Sequence, residues 1–102
     1  MRLENYSAEK LKGEIRSIIE KHLDISGAKL FFFGSRVTGK GNDRSDIDVG
    51  IEGRGEIDRA VMARIKEDLE KLPVLYKIEL VDFTAAPASF REVALQKTET
   101  II

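Results

Sequence analysis

The hydrophobic positions of this chain follow helical spacing in two long segments. Apolar residues recur there at three- and four-residue steps, which predicts two amphipathic helices. The first helix is predicted over residues 7–24, with Ser7 as its N-cap and Gly27 ending the segment. The second is predicted over residues 57–72, where Pro73 closes it.

Three shorter apolar runs are typical of strands, and a last helix follows them. Lys29–Phe33 is apolar from Leu30 onward, Ser45–Ile51 alternates between apolar and polar residues, and Val74–Phe83 has a mixed pattern. Pro87 suits the first turn of a final helix. The predicted inward face of that helix consists of Phe90, Val93 and Ala94.

The sequence of elements predicts the fold class. With a short helix at Ser35–Thr38, the order is αβαβαβα. This order predicts an α+β fold in which helices pack on a small three-stranded mixed sheet. A length of 102 residues predicts a single domain over residues 1–102.

Composition narrows the classes of function. Charged residues make up 34% of the chain, but the net charge is only −1, which argues against binding to duplex nucleic acid. The absence of cysteine excludes disulfides and thiolate metal sites. No apolar run has the length of a membrane span, and the N-terminus lacks the apolar region of a signal peptide, so we expect no membrane contact and a cytoplasmic location.

Two aspartates stand inside the second predicted strand. Alternation places Ile47, Val49 and Ile51 on one face and Asp46 and Asp48 together on the other. Two facing carboxylates repel each other unless a cation lies between them, and Mg²⁺ prefers oxygen ligands. The alternative interpretation is structural: Asp46 caps the turn and Asp48 is a solvated strand residue.

The first strand runs directly into Gly34 and Ser35. Glycine allows a tight turn, and the free N–H groups and hydroxyl of a helix opening at Ser35 would form an anion site beside the carboxylates. Gly39, Gly41 and Asn42 would make the following loop flexible enough to fold over a ligand. The alternative is an ordinary turn, but its combination with the aspartates favours phosphoryl transfer.

The stretch "GSRVTGKGNDRSDIDVGI" resembles the nucleotidyltransferase signature of the DNA polymerase β superfamily, in which Gly-Ser precedes Asp-x-Asp by ten residues. It is most similar to the minimal nucleotidyltransferases, and the closing stretch "IELVDFTAAPASFREVALQ" is similar to the end of those proteins. The resemblance covers most of the chain. It implies a polymerase β-like nucleotidyltransferase core.

The resemblance also implies an activity and its site. The activity is two-metal transfer of a nucleoside monophosphate from a nucleoside triphosphate, with AMP from ATP as the expected case and two Mg²⁺ ions, or Mn²⁺, as cofactors. Asp46 and Asp48 match the catalytic, metal-binding aspartates, and Gly34 and Ser35 match the turn that holds the β- and γ-phosphates. Arg36 stands where the family often has a basic residue that binds phosphate; the alternative is a solvated surface arginine.

The family pattern includes a third carboxylate on the neighbouring strand. Glu79 and Asp82 compete for this role. Because Ile78 and Leu80 share the apolar face, alternation sends Glu79 to the opposite face, where the other carboxylates lie. We therefore predict Glu79 as the third catalytic metal ligand, with Asp82 as the alternative and as a cap for the next loop.

The resemblance further implies a partner. Minimal nucleotidyltransferases commonly work with a small helical protein of the HEPN or substrate-binding type, in some pairs as an antitoxin that transfers AMP to a HEPN toxin. Four apolar residues near the C-terminus could form an exposed surface that fits such a partner: Phe90, Val93, Ile101 and Ile102. The alternative is that these residues cover the chain's own sheet. The alternative function is a catalytically weak antitoxin or scaffold that acts by binding. The sequence leaves undecided whether the chain forms a homo-oligomer. His22 is predicted to pack in the core.

Overall fold

The computed structural model describes residues 1, 3, 5–41 and 45–102; Asn42, assigned above to a flexible loop, lies outside these ranges. No helix in the described ranges is long and apolar enough to cross a membrane. The elements are the helices α1 (Ala8–Glu20), α2 (Ser35–Thr38), α3 (Arg59–Glu70) and α4 (Ala88–Ala94), and the strands β1 (Lys29–Phe33), β2 (Ile47–Glu52), β3 (Ile78–Asp82) and β4 (Glu99–Thr100).

The strands form one mixed sheet in the order β3-β2-β1-β4. Strand β1 is antiparallel to β2 and to β4, whereas β2 and β3 are parallel. The predicted α+β class and the order αβαβαβα are confirmed, but the predicted count of three strands is wrong. Strand β4 was missed because two residues are too short for a period-two pattern.

The main core lies on one face of the sheet, under α1 and α3. Alternation along β1 and β2 sends Leu30, Phe32 and Val49 to this face, where each is fully buried. The helices contribute their apolar stripes to the same cluster, through residues Leu11, Ile15, Ile18, Ile19, Ile65 and Leu69. This layer contains most of the apolar surface that the fold removes from water.

A second, smaller cluster lies on the opposite face. Phe31, Phe33 and Phe83 are buried there, and both β1 rings meet Phe83 edge-on with centroids 4.9 Å apart. Helix α4 covers this cluster with Ala94 and with Phe90, whose ring lies 6.0 Å from that of Phe33. The predicted inward face of α4 is therefore wrong in one member, since Val93 on α4 is 68% exposed.

Local hydrogen bonds explain where α1 begins and ends. The Ser7 hydroxyl accepts from the Lys10 N–H at 3.2 Å, which confirms the predicted N-cap. The helix ends at Glu20, so the prediction of residues 7–24 is four residues too long. Asp24 accepts from the Ser26 N–H at 3.0 Å, and this turn replaces helical hydrogen bonding before Gly27 is reached.

The remaining boundaries differ from the prediction by a few residues. Strand β2 begins at Ile47 rather than Ser45, which leaves Asp46 just ahead of the strand. Helix α3 starts after its N-cap Asp58, whose side chain accepts from the Ala60 N–H at 2.7 Å. Strand β3 begins at Ile78 rather than Val74, because the chain turns after α3 and enters the sheet only there.

The C-terminal residues close the main core. The N–H groups of Ile101 and Ile102 donate to the Leu30 carbonyl oxygen at 2.8 and 3.1 Å, and both side chains pack against the main cluster. Of the two interpretations given above, the alternative that these residues cover the chain's own sheet therefore holds for Ile101 and Ile102. Half-buried His22 contacts the Asp68 carboxylate with its Nε2 at 2.6 Å, which joins the end of α1 to α3.

Two glycines allow a matched test of this packing. A Cβ at Gly50 would overlap the Phe31 ring and lie 2.7 Å from Phe83 Cε1, so Gly50→Ala should destabilise the fold by about 1–3 kcal/mol. Gly13 lies inside α1 with no atom within 4 Å of an added Cβ, so Gly13→Ala should stabilise it by about 1 kcal/mol. Urea unfolding of both variants measures the difference; an unchanged midpoint for Gly50→Ala would contradict the described packing.

Candidate active site

Asp48 lies at the centre of the candidate site, on the central strand of the sheet. Its neighbour across the antiparallel pair is Phe33, and its neighbour across the parallel pair is Glu79. Residues that pair in this way share a face of the sheet. Asp48 and Glu79 therefore lie side by side on the face opposite the main core, as strand alternation predicts.

The electrostatics of Asp48 show which charges surround it. Partial burial raises the pKa of its carboxyl above the ordinary 3.8, and the negative charges of Asp46 and Glu79 raise this pKa further. Asp46 is exposed and directly precedes β2, rather than standing within the strand as predicted. Glu79 thus neighbours Asp48 in the sheet, and Asp46 lies close enough for its charge to act on Asp48.

The turn after β1 passes directly over Asp48. Gly34 has φ +83°, and a Cβ at this position would overlap Asp48 Oδ2 and lie 3.1 Å from its Cγ. Both the backbone conformation and the close approach require glycine here. Helix α2 begins at Ser35, and the first N–H groups of a helix have no acceptor within it. Polar backbone groups therefore stand beside the Asp48 carboxylate.

An open cleft of ≈ 710 Å³ joins these groups to the inner side of α4. One part of it is polar and includes Ser35, Asp48 and Glu79, whereas the other part is apolar and includes Phe90 and Val93. Phe90 and Val93 are 41% and 68% exposed. Among the described residues, the lining consists of Phe33, Gly34, Ser35, Thr38, Lys40, Asp48, Glu79, Val81, Phe90, Val93, Ala94, Gln96 and Lys97.

Glu79 and Asp82 have different surroundings. The Glu79 carboxylate is paired with Lys77 Nζ at 2.7 Å, a contact that raises the pKa of Lys77. Asp82 accepts from the Ile57 N–H at 2.8 Å and from the Thr84 N–H at 3.0 Å, so both of its oxygens hold loop backbone. Glu79 faces the cleft and Asp82 does not line it.

The carboxylates form an incomplete metal site in this arrangement. Within residues 1, 3, 5–41 and 45–102, no three acidic or imidazole side chains gather closely enough to hold a metal ion. One physical reason is the ion pair of Glu79 with Lys77. The donor chemistry nevertheless fits a hard divalent cation, because Asp46, Asp48 and Glu79 offer only oxygens and their like charges act on one another.

Arg36 makes contacts away from the cleft. Its Nε donates to the Ser45 carbonyl oxygen at 2.7 Å, and its guanidinium lies 4.3 Å from the centroid of the Tyr76 ring. Among the described residues, Arg36 is not part of the cleft lining. It was predicted to bind phosphate, with a solvated surface arginine as the alternative; in this structure its half-buried guanidinium contacts Ser45 and Tyr76.

Comparison with known proteins agrees with this arrangement. Residues 13–102 match the family model described as "Polymerase beta, Nucleotidyltransferase". This chain belongs to that nucleotidyltransferase family. The expected membership in the polymerase β superfamily is confirmed, and so is the assignment to the nucleotidyltransferase class of enzymes. In general, this family implies a nucleoside triphosphate substrate and a divalent metal.

Several relatives of the nucleotidyltransferase are similar over most of its length. A probable protein adenylyltransferase MntA of Haemophilus influenzae is 28% identical over 94 residues, which are 90% of this chain and 82% of that protein. A chain of a toxin–antitoxin crystal structure with AMP-PNP superposes with a TM-score of 0.72 at 16% identity, covering 89% of this chain and 72% of that chain. A chain of the complex between a tri-AMPylated Shewanella oneidensis HEPN toxin and an MNT antitoxin gives 0.68 at 14%, covering 92% and 71%. At these identities, the structural likeness shows the fold.

Sequence reasoning missed several residues around the nucleotidyltransferase cleft. Lys77 was not considered, although its period-two spacing from Glu79 places both on one face of an extended segment. Gln96 and Lys97 line the cleft from beyond α4, where no local pattern marks them. Phe33 packs in the smaller aromatic cluster and also lines the cleft.

The charge on Asp48 should destabilise the metal-free nucleotidyltransferase. Because its folded pKa is raised, the stability this carboxyl adds is present below about pH 3.8 and is lost as pH rises through the folded pKa. Asp48→Asn should therefore stabilise the apo protein by about 1 kcal/mol at neutral pH, and the gain should shrink on acidification. Asp82→Asn, the matched control, should give no gain. Denaturant unfolding in EDTA across pH measures both; a less stable Asp48→Asn at neutral pH would contradict this account.

Proposed function

We propose that this nucleotidyltransferase moves AMP from ATP to a hydroxyl group of a protein acceptor, with Mg²⁺ as cofactor and a HEPN-type helical protein as partner. In this reaction the acceptor oxygen bonds to the α-phosphorus, the bond from that phosphorus to the bridging oxygen breaks, and pyrophosphate and the hydroxyl proton leave. One observation supports the proposal most: Asp48, with Asp46 and Glu79 beside it, lies directly under the Gly34 turn.

The Gly34–Ser35 turn is suited to the phosphate end of the substrate. Without a side chain at Gly34, an anion can approach the backbone as closely as Asp48 does. Ser35 adds a hydroxyl, and Lys40, which also lines the cleft, adds positive charge. We assign the β- and γ-phosphates to this turn.

The carboxylates are suited to hold the divalent cation. Asp46 and Asp48 would bind it, and Glu79 would complete the set by exchanging its contact with Lys77. When bound, the cation would neutralise charge between these carboxylates and the triphosphate. Lys77 keeps Glu79 paired in the metal-free protein, which lowers the repulsion around Asp48.

The apolar part of the cleft is suited to the uncharged portions of the substrates. Val81, Phe90 and Val93 offer a hydrophobic surface beside the carboxylates, and such surfaces orient the uncharged portion of a ligand in many enzymes. Helix α4 also carries the exposed side chains of Phe90, Val93 and Leu95, which are 41%, 68% and 40% accessible. We assign the contact with the helical partner to this face of α4, because the similar solved structures are toxin–antitoxin complexes.

A second candidate function is a scaffold or antitoxin that acts by binding alone. The observation in its favour is the Lys77–Glu79 ion pair, which occupies the third carboxylate with a cationic side chain in place of a metal. An exposed ion pair of this kind contributes only about 0–1 kcal/mol, so Mg²⁺ with ATP can displace it. Binding of nucleotide therefore separates the two candidates.

Nucleotide affinity should depend on the metal. The triphosphate repels Asp46 and Asp48 unless cations lie between them, so ATP should bind weakly in EDTA and at least about tenfold more tightly with Mg²⁺ or Mn²⁺. Titration calorimetry with and without EDTA measures this ratio. Equal affinities would contradict the metal-dependent site, and the absence of any nucleotide binding would favour the scaffold.

Exchange of the third carboxylate for an amide tests the assignment of Glu79. Glu79→Gln keeps the size of the side chain but removes the charge that a metal requires, so transfer should fall by about a hundredfold or more. Asp82→Asn should keep most of the activity, because Asp82 holds backbone N–H groups outside the cleft. Incorporation of label from the α-phosphate of ATP into protein gives the rates. A larger loss for Asp82→Asn would overturn the assignment.

A further inference from the structure

Arg36 connects three segments that carry the candidate site. It directly follows Ser35, its Nε bonds to the carbonyl of Ser45 at 2.7 Å, and its guanidinium stacks on Tyr76. Ser45 directly precedes Asp46, and Tyr76 lies three residues before Glu79. A single side chain therefore links the phosphate-binding turn to the segments of two carboxylates.

Part of the Arg36 guanidinium is buried, which indicates that its contacts hold it in a defined position. Nη2 of Arg36 is shielded from water, and within the described part of the chain it has no hydrogen-bond partner. Leaving a buried donor unpaired is costly, so the guanidinium would turn to solvent unless its other contacts held it in place. Those contacts are a hydrogen bond from Nε to the backbone carbonyl of Ser45 and a cation–π stack on Tyr76.

The orientation of Arg36 also excludes the cleft as its main target. Its side chain is not part of the described cleft lining, whereas Lys40, four residues along, is. A planar guanidinium can donate in its plane and stack with its face at the same time, which lysine cannot do. The observed geometry uses both properties at once.

We propose that Arg36 is a positioning residue, which fixes Asp46 relative to the Gly34–Ser35 turn and to the Glu79 strand through Ser45 and Tyr76. The proposal rests on the proposed function for its catalytic consequence. It assigns to Arg36 the alignment of the metal-binding carboxylates, in place of direct phosphate contact. Loss of the stack would leave Asp46, which lies outside the hydrogen-bonded part of β2, free to move away from Asp48.

Mn²⁺ binding without nucleotide is the primary test. Arg36→Lys keeps the positive charge, so a change in Mn²⁺ affinity reports geometry and not long-range electrostatics. We expect this variant and Tyr76→Leu each to bind Mn²⁺ about three- to tenfold more weakly, since Arg36→Lys loses the planar guanidinium that bonds to the Ser45 carbonyl and Tyr76→Leu loses the ring on which it stacks. Tyr76→Phe keeps the ring and should bind as the wild type does. Unchanged Mn²⁺ affinity for Arg36→Lys would overturn the proposal.

A double-variant comparison separates positioning from phosphate contact. If Arg36 positions Asp46 through Ser45 and Tyr76, the combined loss in the double variant of Arg36→Lys with Tyr76→Leu should be smaller than the product of the two single losses, both in Mn²⁺ affinity and in the rate constant for transfer. The KM for ATP should change less than about twofold, because the phosphates keep their own contacts. Independent effects that multiply, with an increase in KM confined to Arg36→Lys, would instead assign phosphate binding to Arg36.

The proposal stays testable if the chain transfers no nucleotide or if one variant fails to fold. Absence of transfer by the wild type would defeat the proposed function alone, because Mn²⁺ affinity would still decide the role of Arg36. Circular dichroism establishes which variants fold. Should Tyr76→Leu not fold, the difference between Arg36→Lys and the wild type in the Mn²⁺ titration carries the decision alone.

Discussion

The pairing of β2 with both of its neighbours is the constraint on which the site depends. The antiparallel register with β1 sets Asp48 opposite Phe33, and the parallel register with β3 sets it beside Glu79. A slip of one residue in either register would turn a carboxylate toward the main core, where an unpaired charge is prohibitively costly to bury. The apolar residues Ile47, Val49 and Ile51 are fully buried on the other face, and so they hold β2 in the register that assembles the site.

The clustered carboxylates of the site lower the stability of the fold, and burial of the apolar core offsets this loss. Burial and two neighbouring negative charges raise the pKa of Asp48, which means that the ionised carboxylate opposes folding at neutral pH. Lys77 lowers this repulsion through Glu79, but an exposed ion pair contributes little. The protein therefore keeps a destabilising negative charge at Asp48, and any cation that bound beside it would stabilise the fold.

Alternation in the sequence was enough to predict which face most of the carboxylates occupy. It placed Asp48 and Glu79 together and favoured Glu79 over Asp82, because the period of two is a property of the extended backbone itself. It erred for Asp46, which it put inside the strand: where a ladder of hydrogen bonds begins depends on the partner strand, and the sequence of β2 alone does not contain that information. The two-residue strand β4 was missed for the same reason.

The contacts of Arg36 could not be predicted from the sequence, because they join it to residues 9 and 40 positions away along the chain. The prediction that Arg36 binds phosphate rested on its position next to the Gly34–Ser35 motif in the sequence. Its actual partners, a backbone carbonyl and an aromatic ring, carry no signature in sequence, because any residue has a carbonyl and Tyr76 looks like a core aromatic. Contacts between residues that are distant along the chain leave no local sequence pattern, so only the folded structure shows them.

Glycine shapes both sides of Asp48, and this explains how a small sheet has room for a cleft. At Gly34 the missing side chain lets the turn touch the carboxylate, and at Gly50 it lets the Phe31 and Phe83 rings settle onto β2. The aromatic cluster formed there supports Phe90 and thereby α4, the helix that closes the apolar side of the cleft. The volume of the site thus depends on two absent side chains as much as on the carboxylates it contains. A larger residue at either position would act on the site through packing, without changing any group that takes part in the chemistry.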